Sequence, residues 1–350
     1  MTDRLKSIYQ SFGLPRLIII LFFLALLIAG GLLEIPVPSL ISDVLVRFGM
    51  NGILVLAMVP GIQAGIGLNF GLSLGIVAGL LGGVISIESG FSGFAGLAVA
   101  IGIGILLSIV IGIGYGLLLN SIKGSEMTVS TYVGFSAIAL MNIFWLILPF
   151  HNPDMVWAIG KGLRATIDLS SRYKHILNNF MTFNIPTSAG DIVVPTGLIL
   201  FFFISCFIVW LFLRSKSGIA MSAAGGNPKF ALAAGIDENK TRILGTTIST
   251  VLSAVGIIVY AQSYGFYQIY NAPLMMSFAA AAGVLIGGAS ISRAKISHVI
   301  IGTFLFQGLL VLGLPVANKL LPEGNLSEVM RIIVSNGIIL YALTKSQGDK

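Results

Sequence analysis

Apolar runs close to the ~20 residues that cross a bilayer alternate with short polar breaks along almost the whole chain. Ten can be drawn, at 17–33, 50–66, 69–87, 94–118, 128–150, 192–213, 243–264, 273–291, 297–314 and 329–344. They predict an all-α, polytopic membrane protein with about ten transmembrane helices in one domain covering residues 1–350. Very little polar sequence joins the second run to the third, as a broken or re-entrant segment requires. Two polar stretches stand out: a loop at 151–191 and a second at 214–242.

The second stretch contains SAAGGNPKFALAAGID, Ser222 to Asp237, a helix bounded at both ends. Asn227 suits an N-cap, Pro228 the first helical turn, and Gly235 a left-handed terminator. About two turns of helix lie between them, too short to persist alone in water. Something must hold this helix, and Ala231, Ala233 and Ala234 suit a shallow groove of a partner.

Charge placement orients the chain. With an even number of spans both termini share a side. One side then carries Arg4, Lys6, Arg16, Lys123, Arg214, Lys216, Lys229, Lys240, Arg242, Arg293, Lys295, Lys345 and Lys350. The short segments opposite carry only Arg47, Lys319 and Arg331. The positive-inside rule makes the first side cytoplasmic, with both termini and the short helix there. The first run lacks an A-x-A-like cleavage site after it and is read as a retained span.

Composition agrees: 56% of the 350 residues are apolar and 9% charged, too few for a soluble surface. The net charge of +7 is dispersed between the apolar runs, which argues against nucleic acid as a partner. One cysteine and three scattered histidines leave no disulfide and no metal site. Glycine or another small residue recurs every four positions at 67, 71, 75, 79 and 83 and again from Gly96 to Gly116. Such ladders let helix backbones approach closely. The lining of a solute path is the other reading.

The chemistry that is missing narrows the function. No carboxylate falls clearly inside a run, which disfavours a proton-coupled carrier, while a sodium site of carbonyls and hydroxyls stays open. The phosphate-cradling G-x-x-x-x-G-K-[ST] loop is absent, so any ATP hydrolysis belongs to a separate chain. No catalytic triad or paired carboxylate signature supports an enzyme.

GGNPKFALAAGI, Gly225 to Ile236, resembles the cytoplasmic coupling segment of permease subunits in bacterial ABC importers of the ribose, galactose and nucleoside type. GIGLNFGLSLG, Gly65 to Gly75, resembles that family's S-G-I-D-L-S-x-G segment, and LIGGASISRAKISHVIIGTFLFQGLL, Leu285 to Leu310, its later glycine-rich segment and following helix. The segments stand in family order and the resemblance covers about Asn51 to Tyr341. It implies a type II importer-like permease of a bacterial inner membrane, driven by separate ATP-binding subunits. A second permease subunit, identical or paralogous, and an extracytoplasmic substrate-binding protein complete the implied complex. ATP and magnesium would bind the ATPase, and no cofactor this chain. Coupling then falls to Gly225, Gly226, Asn227, Pro228, Ala234, Gly235 and Ile236. Gly67 stands where the sugar branch has Asp and Asn69 where it has Ser, and Leu68 to Gly71 resembles the F-N-x-G of the nucleoside branch. Monosaccharide and nucleoside both remain open.

Polar or aromatic groups inside the runs are the candidates for a solute pathway: Gln63, Asn69, Ser73, Tyr132, Asn142, Trp145, Gln262 and Gln307. Stitching helices together is the alternative role for each, and Asn69, beside the glycine ladder, is the leading candidate. In the 151–191 loop, Trp157, Lys161, Arg164, Arg172, Tyr173 and Lys174 suggest a docking surface for the binding protein, or a loop resting on lipid headgroups. An ion-coupled carrier or passive channel is the rival reading, and a non-transporting scaffold the third.

Overall fold

The computed structural model describes residues 14–157, 162–188, 190–320 and 336–337. Helix α1 (Leu14–Leu32) runs to a short turn at 33–36. Helix α2 (Val37–Leu56) starts immediately after Pro36, with Pro38 in its first turn, and passes through Ala57 into the six-residue α3 (Met58–Gln63). After an irregular stretch come α4 (Leu72–Glu88), α5 (Gly93–Ser121) and α6 (Glu126–Ile147).

The long connection that follows holds β1 (Thr166–Asp168), α7 (Ile176–Asn179), β2 (Phe183–Thr187) and β3 (Gly190–Val194). Then come α8 (Thr196–Arg214), α9 (Lys216–Gly226), α10 (Pro228–Ala233) and α11 (Glu238–Tyr264). Strand β4 (Phe266–Gln268), α12 (Ala272–Ile286) and α13 (Ile296–Leu320) complete the described chain.

Six of these helical stretches are long and apolar enough to span a membrane, and three shorter apolar ones accompany them. The protein is thus a helical, multi-pass membrane protein, and nine of the ten apolar runs are helical. The tenth, 329–344, lies outside the described residues except for Asn336 and Gly337.

Three expectations need correction. The second run begins at Val37 rather than at residue 50, which places Asp43 and Arg47 inside a helix. The two charges interrupt the apolar run in sequence, but they sit four residues apart on one face while Leu40, Val44 and Phe48 bury the other. The sixth run begins at Thr196, because residues 192–194 belong to β3.

Nor is the chain purely α. The loop at 151–191 builds two small antiparallel sheets, pairing β2 with β3 and β1 with β4. Ile167 lies opposite Tyr267, and both are fully buried. Tyr173 is buried too, its hydroxyl 3.1 Å from that of Tyr267, and Arg172 pairs with Asp154 at 2.8 Å. Of the residues considered for docking, Trp157 is exposed and Lys161 lies outside the described residues.

The core forms around α2, α4, α5 and α11. Glycines pack into these contacts: a Cβ on Gly82, next to the first ladder, would come within 2.6 Å of the backbone nitrogen of Gly104 on the second, and one on Gly116 within 2.9 Å of Ile243 Cα. Gly114, off the ladder, faces open space. Gly82→Ala is therefore expected to cost about 1–3 kcal/mol by overpacking, and Gly114→Ala to be neutral or stabilising by up to about 1 kcal/mol. Thermal unfolding of the detergent-solubilised variants checks the contrast; equal effects would sink the packing role.

Candidate functional site

Two breaks in the helical pattern meet inside the bundle. The first is 64–71, where Gly65 and Gly67 take φ of +76° and +84°. That left-handed geometry suits glycine. Backbone polar groups freed inside a membrane bundle need partners, because lipid and apolar side chains offer none.

Asn69, 1% exposed, supplies one of these bonds and ties the break to its neighbours. Its Oδ1 accepts from the Gly71 amide at 3.0 Å and from the Tyr115 hydroxyl of α5 at 2.9 Å. Its Nδ2 donates to Ser249 Oγ of α11 at 2.9 Å, and that hydroxyl donates to the Ala57 carbonyl at 2.7 Å. One amide thus joins the break to α5, α11 and the α2–α3 junction.

The second break precedes α12, whose first turn contains Pro273. Ser73 Oγ donates to the Pro273 carbonyl at 2.9 Å and lies 3.1 Å from Ser277 Oγ, which bridges the breaks. Phe278 sits between Phe70 and Phe135, with ring centroids 5.0 and 6.3 Å away and planes inclined by 33° and 29°. Thr131 and Gly134 of α6 and Leu274 of α12 complete the cleft, whose free space is about 10 Å³. That is scarcely room for one water, so the lining side chains themselves fill the cleft. No lining side chain is ionisable. Hydroxyls able to donate and accept, beside aromatic faces, suit an uncharged hydroxylated solute.

At one end of the bundle, the expected caps of the short helix are all present. Asn227 Oδ1 accepts from the Phe230 amide at 3.1 Å, Pro228 opens α10, and Gly235 has φ +74°. Beyond Ala234 the Ile236 amide returns to the Ala231 carbonyl at 2.9 Å. Asp237 caps α11 in turn, and the hydrogen bond from the Lys240 amide holds its carboxyl below the ordinary carboxylate value. Ala231 is fully buried, whereas Phe230 is 63% and Leu232 74% exposed. Gly225 and Gly226 finish α9 rather than begin the short helix.

Two connections lead from this end to the cleft. Gly225 packs backbone against backbone on the first break: a Cβ on Gly65 would lie 2.8 Å from Gly225 Cα. Met221 of α9 shares an apolar cluster with Ala64, Ile66, Leu119 and Tyr115, the tyrosine bonded to Asn69. The other connection is ionic. Arg242, near the start of α11 and 5% exposed, donates to Glu126 of α6 at 2.6 Å and to Asn120 Oδ1 at 3.0 Å. Helix α6 carries Thr131, Gly134 and Phe135 of the cleft.

Of the eight pathway candidates, only Asn69 and Ser73 stand at the junction of the two breaks. Gln63 donates to the Ala294 carbonyl. Gln262 ties α7 to α11, accepting from the Leu177 amide at 3.2 Å and donating to Asn178 Oδ1 at 3.1 Å. Tyr132 points outward, 69% exposed, and Gln307 is buried on α13. Asn142 Oδ1 and Trp145 Nε1 are buried without a hydrogen-bond partner among the described residues.

Phe70, Thr131, Phe135, Ser277 and Phe278 escaped notice in the sequence. The signal for them is Asn271-Ala272-Pro273, a second interruption of an apolar run. Paired interruptions mark solute sites in many transporters.

A family described as "Branched-chain amino acid transport system / permease component" matches residues 40–343. No curated protein and no solved structure matches the chain.

Removing Arg242 would strand Glu126 with little solvent. Arg242→Gln is expected to cost about 3–5 kcal/mol, while the double change Arg242→Met with Glu126→Leu recovers most of that loss. Thermal unfolding of the two variants in detergent decides; equal loss in both would remove the ion pair from the argument.

Proposed function

We propose, from the premise that the chain belongs to the permease-component family of branched-chain amino acid transport systems within the ABC importers, that it is the membrane-spanning subunit of an ATP-driven importer for a monosaccharide or nucleoside. The observation that carries this reading is α10. It is a capped helix with two large apolar side chains turned outward, continuous through Gly225 with the broken segment that forms the cleft. Exposed apolar groups on so short a helix suit a groove on a partner.

ATP-binding subunits would dock there, and that end would face the cytoplasm of a bacterial inner membrane, with both termini on the same side. A second permease subunit and an extracytoplasmic binding protein at the β2–β3 end complete the assembly. Rotation of α10 by the ATPase would reach the cleft by two routes, Gly225 to Gly65 and Arg242 to Glu126. It would part the phenyl rings and expose the cleft to each side in turn.

Neutrality of the cleft supports an uncharged hydroxylated solute over an amino acid, whose ammonium and carboxylate would both lose hydration with no countercharge. Asp43 in α2 is the observation that favours the rival, an ion-coupled carrier. Uptake that needs sodium or a proton gradient, ignores nucleotide and is lost in Asp43→Asn would establish it.

Two measurements test the importer reading. In a mild-detergent pull-down, a P-loop ATPase is expected to copurify with the unaltered chain and to be lost with Phe230→Ala/Leu232→Ala. A chain that purifies alone yet moves solute in liposomes without nucleotide would refute it. In the reconstituted complex, Ser73→Ala/Ser277→Ala is expected to raise the solute KM about tenfold, the equivalent of one to two lost hydrogen bonds, with ATPase binding intact. An unchanged KM would move the solute site elsewhere.

A further inference from the structure

Asp43 and Arg47 are the seventh and eleventh residues of an otherwise uncharged helix. Charges in such a helix are costly and call for a partner. Four residues apart, they share a face, their Cβ atoms about 6 Å apart. Among the described residues neither charged group makes a hydrogen bond, and the two meet only through the attraction of their charges. Both line a cavity of about 360 Å³ between α2, the end of α11 and α13.

Ser263 and Tyr264 add two hydroxyls, and Leu40, Val46, Leu314 and Pro315 are among the apolar residues of the lining. The cavity shares no lining residue with the neutral cleft. It therefore combines a pair of opposite charges and two hydroxyls with apolar side chains, as an amphiphile requires.

Its position in the bundle indicates which amphiphile. Tyr260, Tyr264 and Phe266 gather beside it, with centroids 5.4 and 4.6 Å apart along the series. Aromatic groups of this kind collect at the level of lipid headgroups. Arg47 can hold a phosphate through charge-assisted hydrogen bonds. Asp43 beside it would repel a purely anionic headgroup but accept hydrogen bonds from a primary ammonium, which a quaternary ammonium cannot give. We propose that this cavity binds the ammonium and phosphate of a phosphoethanolamine group, supplied by an amine phospholipid of the bilayer.

Native mass spectrometry of the detergent-purified protein tests the site, with phosphatidylethanolamine and phosphatidylglycerol of identical acyl chains as probes and soluble phosphoethanolamine as competitor. The unaltered protein is expected to retain the amine lipid at least about fivefold over the glycerol lipid, a difference near 1 kcal/mol. Asp43→Asn should bring that ratio close to one, and Arg47→Gln should weaken both lipids. Equal retention by the unaltered protein overturns the proposal without reference to any variant. So does a preference that survives Asp43→Asn in protein with an unchanged elution profile. Binding of soluble phosphoethanolamine without lipid preference would assign the cavity to a dissolved zwitterion and also overturn it.

Discussion

Everything at the centre of this molecule depends on backbone that is not helical in a place where only helices satisfy themselves. Residues 64–71 leave the α2–α3 rod and turn back toward α4 inside the bundle. The stretch persists because Asn69 bonds the Gly71 amide, Tyr115 and Ser249 with its one amide group. Buried amides left unpaired cost about 1–3 kcal/mol each, so this network and the break stand or fall together. The same bonds fix α5 and α11 against the break. A displacement of the break therefore loads two of the core helices at once.

The contact between Gly225 and Gly65 has a mechanical meaning that a side-chain contact would lack. Two long side chains in contact absorb an ångström of movement by changing rotamer, at little cost. Backbones in van der Waals contact have no such slack, and a push on α9 must move the break or separate from it. On the proposed function that stiffness is useful, because work done on α10 reaches the cleft before it is lost in soft degrees of freedom. The Arg242–Glu126 pair adds a second constraint between α11 and α6, the opposite wall of the cleft.

Much of this was legible in the sequence, for reasons that differ from part to part. The capped helix is a local feature, and Asn227, Pro228 and Gly235 do in the fold what their types dictate anywhere. The glycine ladders announced close packing because spacing of four marks a helix face whatever its partner, although Gly67 and Gly71 of the first fall in the break before α4 rather than on a helix. Asp43 and Arg47 misled the reading because a linear hydropathy run treats two charges as an end, whereas in three dimensions they occupy one stripe of a helix buried on its other sides. The cleft was the least legible. Ser73, Ser277 and the three phenylalanines lie on α4, α6 and α12 or just before them, and only tertiary packing brings them together. Single polar residues such as Gln262 gave no sign that their hydrogen bonds would be spent on the loop at 151–191.

The cleft also satisfies itself, and on the proposed function this bears on how a solute site can open and close repeatedly. Ser73 is bonded to the Pro273 carbonyl and adjoins Ser277, so neither serine hydroxyl is orphaned. Phe278 rests between two other rings rather than facing a void. A hydroxylated ring entering the cleft would exchange hydroxyl–hydroxyl bonds for hydroxyl–solute bonds, and ring–ring contact for ring–solute contact. Each exchange is nearly balanced, since the groups are of like kind on both sides. On the proposed function a site built in this way would hold its solute weakly and would not trap it. On the proposed function the direction of transport would then come from outside the cleft, and the exposed α10 is placed to receive it.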